Sequence, residues 1–490
     1  MTRRGLQIAL SGAAMLLAGC RVGPKYVAPN VPAPPSYKEA GPDAFKEPAS
    51  GNPAWQAARP ADAIPRGAWW TIFNDPGLNE LEPKVDLANQ TLAQADANLR
   101  AARAEITVRN ADRFPTIGVS PLIGGERFSA NRPYFNAASA NNGVADIQLP
   151  LVATYEVDLW GRIHRNIQAG RQEAQATAAD RVNVLLSLQA ELAMDYFDLR
   201  IADAQQKLLN DTVQQYREAL RITTNRYNGG VAVKSDVTQA ETQLQTAEVQ
   251  ASDIGIQRAQ FEHAIANLIG ESPASLTLPF SPLPVSTEPP VLPVGLPSSL
   301  LERRPDIAAA ERRAAEGNEA IGIAQAAFYP SLTLNGALGF ESTAIASLFS
   351  PSSIVYSLGP GIAQTFFDAG RRRGVKQEAV AVFNRDSAAY KQTVLTAFQQ
   401  VEDNLVALRI LQQEADQQRA ATASARESQR IFNNRYVGGV DTYLQVITAQ
   451  TTALNNERND IDILRRRMDA TVTLVKVLGG GWDRSQLPPQ

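Results

Sequence analysis

The sequence predicts a mixed fold of very long α-helices and a membrane-type β-sheet, built twice by an internal tandem duplication. Three observations predict it. Arg226-Tyr227-x-Gly229-Gly230-Val231 recurs as Arg435-Tyr436-x-Gly438-Gly439-Val440, and eight of the seventeen positions in 226–242 are identical to those 209 residues later. Each copy holds 67 consecutive residues without proline, 162–228 and 371–437, rich in the strong helix formers Ala, Gln, Leu, Glu and Arg. Between Val144 and Leu159 the odd positions are Ala, Ile, Leu, Leu, Ala, Tyr, Val and Leu, whereas the even ones include Asp146, Gln148, Thr154, Glu156 and Asp158. That period of two, apolar on one face and acidic or amide on the other, suits a strand with lipid on one side and water on the other. A sandwich strand facing water is the alternative.

The elements follow in order. Arg3-Arg4, an apolar run from Leu6 to Ala18 and then Ala18-Gly19-Cys20 read as a secretory signal over 1–19, too short for the ~20 residues a spanning helix needs. The single cysteine directly after it matches a lipoprotein signal, with Cys20 the expected lipid attachment and 20–65 a proline-rich tether. The first repeat, 66–272, has a helical pattern from Leu78 to Asp112, alternating segments after Pro115, the long helix, and a return helix from Asp236 to Ile269. A Pro-rich linker (273–297) separates it from the second repeat (298–481), and 482–490 form a tail. In the second repeat Leu332, Leu334, Leu338 and Phe340 alternate with polar residues, Ile354 to Phe366 supplies another candidate strand, and Thr442 to Leu478 returns. Val182, Leu185, Leu188, Leu192, Tyr196 and Leu199 step by three or four, a coiled-coil-like seam. At 1.5 Å per residue each long helix spans ~100 Å, so it packs lengthwise on partners and does not fold into a compact enzyme.

Composition excludes several functions. The 47 Lys+Arg against 50 Asp+Glu give a net charge of −3, which argues against nucleic acid. One cysteine rules out a disulfide framework or a Cys-based zinc site, and His164 and His263 have no ligand pattern around them. No phosphate-binding loop or nucleophile elbow is present, so neither an enzyme, a cofactor nor a metal is expected. Four candidate strands cannot close a membrane barrel, which needs about eight, so the chain is expected to oligomerise as a dimer or a trimer. The arginines Arg371, Arg372 and Arg373 open a helix after a strand, the unfavourable end for cations, and suit either anionic headgroups, carboxylates or plain solvent.

Several motifs carry a resemblance: Cys20-Arg-Val-Gly-Pro24-Lys-Tyr26, Trp69-Trp70-x-x-Phe73-x-Asp75-Pro76-x-Leu78-x-x-Leu81, Leu301-Glu-Arg303-Arg304-Pro305-Asp306-Ile307 and the doubled Arg-Tyr-x-Gly-Gly-Val. Together they resemble the TolC-type outer-membrane factor family, in particular its NodT-type efflux lipoproteins, across essentially the whole mature chain. The resemblance implies a trimeric 12-stranded β-barrel, four strands per chain, on a long α-helical coiled-coil periplasmic tunnel. It implies a passive exit duct in the bacterial outer membrane, lipid-anchored at Cys20, with a large periplasmic portion, fed by an inner-membrane pump through a periplasmic adaptor (membrane fusion protein). It also implies a periplasmic gate at Asp236, Tyr436, Leu444 and Thr448. Asp236 corresponds to a residue that bonds the Tyr436 position, and the alternative is a cap and a packing residue. Leu444 matches an apolar constriction; Gln445, Thr448 and Thr451 stand where some members carry charges, which leaves the expected gate apolar and neutral, aided by Val440 or Tyr443. Asp441 is weighed as an acidic ring against a solvated carboxylate. Gly229, Gly230, Val231, Gly438, Gly439 and Val440 resemble the tips that dock the adaptor, although glycine also suits a bare helix C-cap. Two other readings remain: a structural periplasmic coiled-coil protein of the adaptor kind, which has no need of a lipid-facing strand, and the same channel serving protein secretion.

Overall fold

The computed structural model describes residues 21–39, 67–127, 129, 143–292, 303–482 and 487. Cys20 lies outside these residues. The helical part begins with a short 3-10 turn, Trp69–Phe73, and then α1 (Pro76–Ala88) and α2 (Gln90–Ala111). One continuous helix was expected from Leu78 to Asp112; the break falls at Asn89. Its backbone is extended, its Oδ1 accepts from the Leu92 N–H at 3.0 Å, and its Nδ2 donates to the Leu268 carbonyl at 2.8 Å. One amide thus caps α2 and ties it to another helix.

The long helices are α3 (Arg162–Asn228) and α6 (Arg371–Val437), each of 67 residues and each with the bounds the sequence predicts. Their return partners are α4 (Lys234–Leu268) and α7 (Tyr443–Val477), each of 35 residues. Between the repeats α5 (Pro305–Ala326) packs on both long helices, and α7 also reaches α3. Leu188, Leu192, Tyr196 and Leu199 from the predicted seam are buried in the main core with Leu464, Met468 and Val472 of α7, while Leu185 is partly buried at its margin.

The sheet holds β1 (Thr116–Val119), β2 (Leu122–Glu126), β3 (Val144–Val157), β4 (Ser331–Ser342) and β5 (Ile354–Ala363). These occupy only four positions, because β1 and β2 both pair with β3 in one unbroken antiparallel register, Thr116 opposite Thr154 and Leu122 opposite Gln148. The interruption at Ser120-Pro121 lies opposite Leu149-Pro150, where two prolines supply no N–H to the ladder. β3 then pairs with β4 and β4 with β5, all antiparallel.

Buried polar contacts fix the middle of the molecule. Trp69 is wholly buried and its indole N–H reaches Gln189 Oε1 at 3.3 Å. Asp75 caps α1, accepts the Tyr196 hydroxyl at 2.7 Å and pairs with Arg200, which gives the Trp-Trp-x-x-Phe-x-Asp-Pro motif a structural role. Asp203, also fully buried, accepts from Arg258 Nε at 2.8 Å and from the Ser281 N–H at 2.7 Å, and so holds the proline-rich linker against α3 and α4. Arg304 joins Asp306, Gln400 and the Val477 carbonyl, locking the start of α5 to the end of α7.

Two expectations are corrected here. The run Arg465-Arg466-Arg467, in the sequence simply a helix face, does not lie wholly in solvent: Arg467 is buried between Glu288 and Gln412. The described part of the tether, 21–39, is a docked strap. The Val22 N–H meets the Trp160 carbonyl at 3.2 Å, the Pro24 carbonyl accepts from Arg165 and Asn318, and the backbone N–H groups of Lys38 and Glu39 donate to Glu402. At Gly23 (φ 102°) a Cβ would stand 2.7 Å from the Gly322 Cα, so two glycines let the strap lie against α5.

Several acids at or near the core are held above their ordinary range by burial. Glu82 is fully buried with neither carboxyl oxygen hydrogen-bonded, and burial pushes its acid well up. Burial also raises Asp195 to about 7, with Glu191 and Asp198 adding to it, and raises Asp469 to about 7, with Asp198 next in effect. Arg465 lies against this group, paired with Asp462 and Asp469. Each acid has a folded-state value above its unfolded one, so the folded chain holds extra protons between about pH 4 and pH 7 and loses stability as pH rises through that window. The thermal midpoint of the detergent-solubilised protein is therefore expected to be higher at about pH 5.5 than at about pH 8, and Glu82→Gln with Asp469→Asn should flatten the dependence. A parent midpoint that does not move with pH, measured by circular dichroism, would refute this.

Candidate functional site in the membrane sheet and the helical tip

The register of the sheet decides which side chains share a face. Phe340, Leu338, Leu334 and Leu332 of β4 stand opposite Leu149, Leu151, Tyr155 and Val157 of β3 on one side and Ile354, Tyr356, Pro360 and Ile362 of β5 on the other. Ile117, Val119 and Ile123 continue the same face on β1 and β2. Much of this face is open: Ile123 is 78% exposed, Tyr356 82% and Leu358 87%. The opposite face carries Asp146, Gln148, Thr154, Glu156, Thr333, Asn335 and Ser357. A four-strand apolar surface backed by a polar one is a lipid-facing sheet. Among the described residues no helix is long and apolar enough to cross a membrane.

The end of the sheet nearest the helices is rimmed by aromatics. Phe114 precedes β1, Trp160 follows β3, Tyr329 precedes β4, and Phe366 and Phe367 follow β5. Trp160 stacks on Tyr329 at 4.6 Å between centroids, and Phe366 and Phe367 are 92% and 87% exposed. This is the girdle expected at a lipid–water boundary.

At the far end, both hairpins turn alike. The Val231 N–H reaches the Arg226 carbonyl at 2.8 Å and the Gly230 N–H reaches Tyr227; Val440 and Gly439 repeat this on Arg435 and Tyr436. These bonds need positive φ at Gly230 (75°) and Gly439 (78°). Gly229 and Gly438 have φ of −80° and −72°, so the turn itself does not require glycine there. Val231, Val440 and Leu444 are exposed, as is Thr448, whose hydroxyl donates to the Leu444 carbonyl at 2.9 Å. Leu444 and Thr448 therefore share one outer face of α7.

The hydrogen bond expected between Asp236 and Tyr436 is not the one formed. Tyr436 is buried, its hydroxyl donates to Thr223 Oγ1 at 3.4 Å, its ring lies 5.3 Å from that of Tyr443, and the guanidinium of Arg226 sits 4.7 Å above it. Asp236 lies in the first turn of α4, half-buried, near enough to Tyr443 to help burial raise that phenol. Thr223 takes the acceptor role because its own hydroxyl is already spent on the Ala219 carbonyl. Asp441 is no bare carboxylate either: it is paired with Arg435 at 2.5 Å.

Arg226 was not foreseen, yet it joins the repeats by donating to the Val437 carbonyl at 3.0 Å. The duplication held the signal. Arg435 finds Asp441 within its own turn, whereas the position matching Asp441 in the first repeat is Ala232, which leaves Arg226 to seek a partner across the seam. Three amide contacts bridge the hairpins further along, Gln429 to Gln215, Gln243 to Thr451 and Arg458 to Gln250. Among the described residues no group of three His, Cys, Asp or Glu side chains is arranged to hold a metal.

The family model described as outer membrane efflux protein matches residues 84–271 and again 296–480, one match per repeat. The chain belongs to this family. It is 29% identical over 487 residues to the antibiotic efflux pump outer membrane protein ArpC of Pseudomonas putida, covering 98% of this chain and 96% of that one. It is 30% identical over 480 residues to the outer membrane protein OprJ of Pseudomonas aeruginosa, covering 96% and 95%. The solved outer-membrane channel OprN superposes with a TM-score of 0.85 at 29% identity, covering 94% of this chain and all of that one. The chain is thus an outer-membrane channel of an efflux pump, a transport protein with a TolC-like fold: a four-position sheet and long helices, duplicated.

The two faces of β5 give a direct test of the membrane sheet. Leu358→Arg sets a charge on the apolar face and should cost about 2–4 kcal/mol, sharply reducing the protein recovered assembled in outer membranes. Ser357→Arg, one residue away on the polar face, should assemble like the parent. Equal recovery of the two variants in fractionated membranes would refute the assignment of faces.

Proposed function

We propose that the chain works as a homotrimeric exit duct, in which three copies close their sheets into one twelve-stranded barrel and their helices form the periplasmic tunnel. The reading is carried by one observation: a sheet with a single open apolar face, too narrow to close alone, runs within a few residues into helices of 67 residues. Closing it takes about eight strands or more. Cargo moves passively, received from an inner-membrane pump through a periplasmic adaptor. Relatives that bear the names of antibiotic and pyoverdine export support small molecules as its class. Cys20 serves as the acylated anchor, delivered to the rim by the strap that starts at Arg21.

The turns Gly229-Gly230-Val231 and Gly438-Gly439-Val440 dock the adaptor. Glycine at Gly229 and Gly438, where φ does not demand it, leaves bare backbone that a second helical hairpin can approach closely. Leu444 and Thr448 face the narrowing tunnel, so the gate is apolar and uncharged at this level. What holds it shut is the seam between the hairpins, Arg226 and Tyr436 with Thr223. A hydrogen bond to a charged group is worth about 1.5–3 kcal/mol and a neutral one about 1, enough to bias the hairpins closed and weak enough for an adaptor to overcome.

Single-channel recording in planar bilayers tests both duct and seam. The assembled parent should conduct weakly, Arg226→Ala with Tyr436→Ala should raise conductance several-fold, and Asp236→Ala should leave it near the parent value. Absence of any channel from protein verified as assembled would overturn the duct; an increase in Asp236→Ala equal to that of the double variant would restore the carboxylate latch.

A further inference from the structure

The two repeats treat the junction between sheet and long helix differently. In the first, α3 opens with cations paired within the chain: Arg162 is bound to both oxygens of Glu156, and the buried Arg165 pairs with Glu319 at 2.9 Å while donating to the strap at Pro24. His164 is held below its usual range by burial and by Arg21. In the second, α6 opens with Arg371-Arg372-Arg373, and the one carboxylate at hand is already engaged. Asp368 accepts from the N–H groups of Gly370 and Arg372 and binds the Arg372 guanidinium at 2.5 Å, and Arg372 is further held over the Phe328 ring.

Arg371 and Arg373 are exposed, and neither side chain makes a hydrogen bond or ion pair among the described residues. They sit at the helix end where the backbone is itself partly positive, so nothing local favours two more cations there. Four to seven residues before them, Phe366 and Phe367 stand almost fully exposed immediately after β5 leaves the apolar face. Side chains in the first turn of a helix lean toward its N-terminus, which here is the direction of the sheet and the bilayer. The polar layer beyond the hydrocarbon is about 5–8 Å deep on each side, within reach of an arginine side chain from that turn.

We propose that Arg371 and Arg373, the first and third residues of α6, set beneath Phe366 and Phe367, bind the phosphate headgroups of anionic phospholipid in the leaflet facing the helices. The aromatic pair enters the acyl boundary, and each guanidinium meets a headgroup on its own side of the helix. The site rests on the sheet lying in a bilayer, which the Leu358 and Ser357 variants test separately.

The experiment is native mass spectrometry of the full-length, detergent-solubilised assembly titrated with dioleoylphosphatidylglycerol or dioleoylphosphatidylethanolamine. The parent is expected to retain the anionic lipid preferentially. Arg371→Gln and Arg373→Gln should each weaken it about 5-fold and together about 30-fold, at roughly 1 kcal/mol per arginine, with the zwitterionic lipid unaffected. Phe366→Ser with Phe367→Ser should weaken both lipids alike, and Arg430→Gln, near the far tip, neither. Assembly is read in the same spectra; if the double Gln variant fails to assemble, the single variants and Arg371→Lys with Arg373→Lys, which should keep the preference, decide the matter. Equal retention of the two lipids by the parent, an undiminished preference in the Gln variants, or full displacement of the bound lipid by equimolar glycerol 3-phosphate, the mark of a free-phosphate site, would each overturn the proposal.

Discussion

Hydrocarbon offers no hydrogen-bond partners, and that constraint organises the molecule. Each backbone N–H and C=O placed in the bilayer has to be paired within protein, so a sheet there cannot keep an edge. A single chain leaves two, the outer side of β1 and β2 and the outer side of β5. Among the described residues nothing covers the apolar face of the strands, whereas the cores are assembled almost wholly from helices. Sheet and helices consequently have separate solvents. The strands are stable in lipid through pairing and the girdle, and the helices are stable in water through a core of Trp69, Leu192, Tyr196 and Leu474.

Duplication supplies two copies of each part, and the places where the copies diverge are informative. The long helices match in length, and the turns match in φ and in hydrogen bonding. At the tip, one substitution between repeats, Ala232 against Asp441, frees Arg226 to cross the seam. At the rim, Arg162 and Arg165 of the first repeat are paired within the chain, whereas Arg371 and Arg373 of the second have no partner among the described residues. Identical backbones therefore carry different electrostatics, one copy turned inward to its own chain and the other outward to whatever adjoins it.

The parts legible in the sequence were those set by long runs of one local signal. Proline-free stretches gave both long helices to the residue, and strict alternation gave the start of β3 at Val144. The parts that were not legible depend on single side chains meeting distant ones. Asn89 splits a helix because Leu268 lies beside it. The first strand position is split into β1 and β2 because Ser120-Pro121 lies opposite Leu149-Pro150, a pairing that no local pattern reveals. The proline-rich start resembled a free tether, yet Gly23 against Gly322 and Glu402 beneath Lys38 and Glu39 hold it down. Tyr436 was read with Asp236 by resemblance, and the nearer acceptor was a threonine already donating elsewhere.

Stability along the helices is graded, and the gradient bears on how such a channel opens. The middle holds the fully buried Asp203 with Arg258, the buried Trp69, and Arg304 with three partners. Breaking a buried pair costs about 3–5 kcal/mol, so this region resists local opening. Toward the tip the polar contacts become exposed, as in Arg221 with Glu218 and Arg430 with Glu427, and pairs of that kind are screened by solvent and hold little. The cores there are small clusters, Val213, Tyr216, Leu244 and Ala247 and then Ala240, Tyr436, Tyr443 and Val446. A helix firmly packed at its middle and weakly held at its end can part at that end without unfolding elsewhere. Moving the tip then requires only that the seam bonds be exchanged for bonds to a partner, while the sheet and the central core stay as they are.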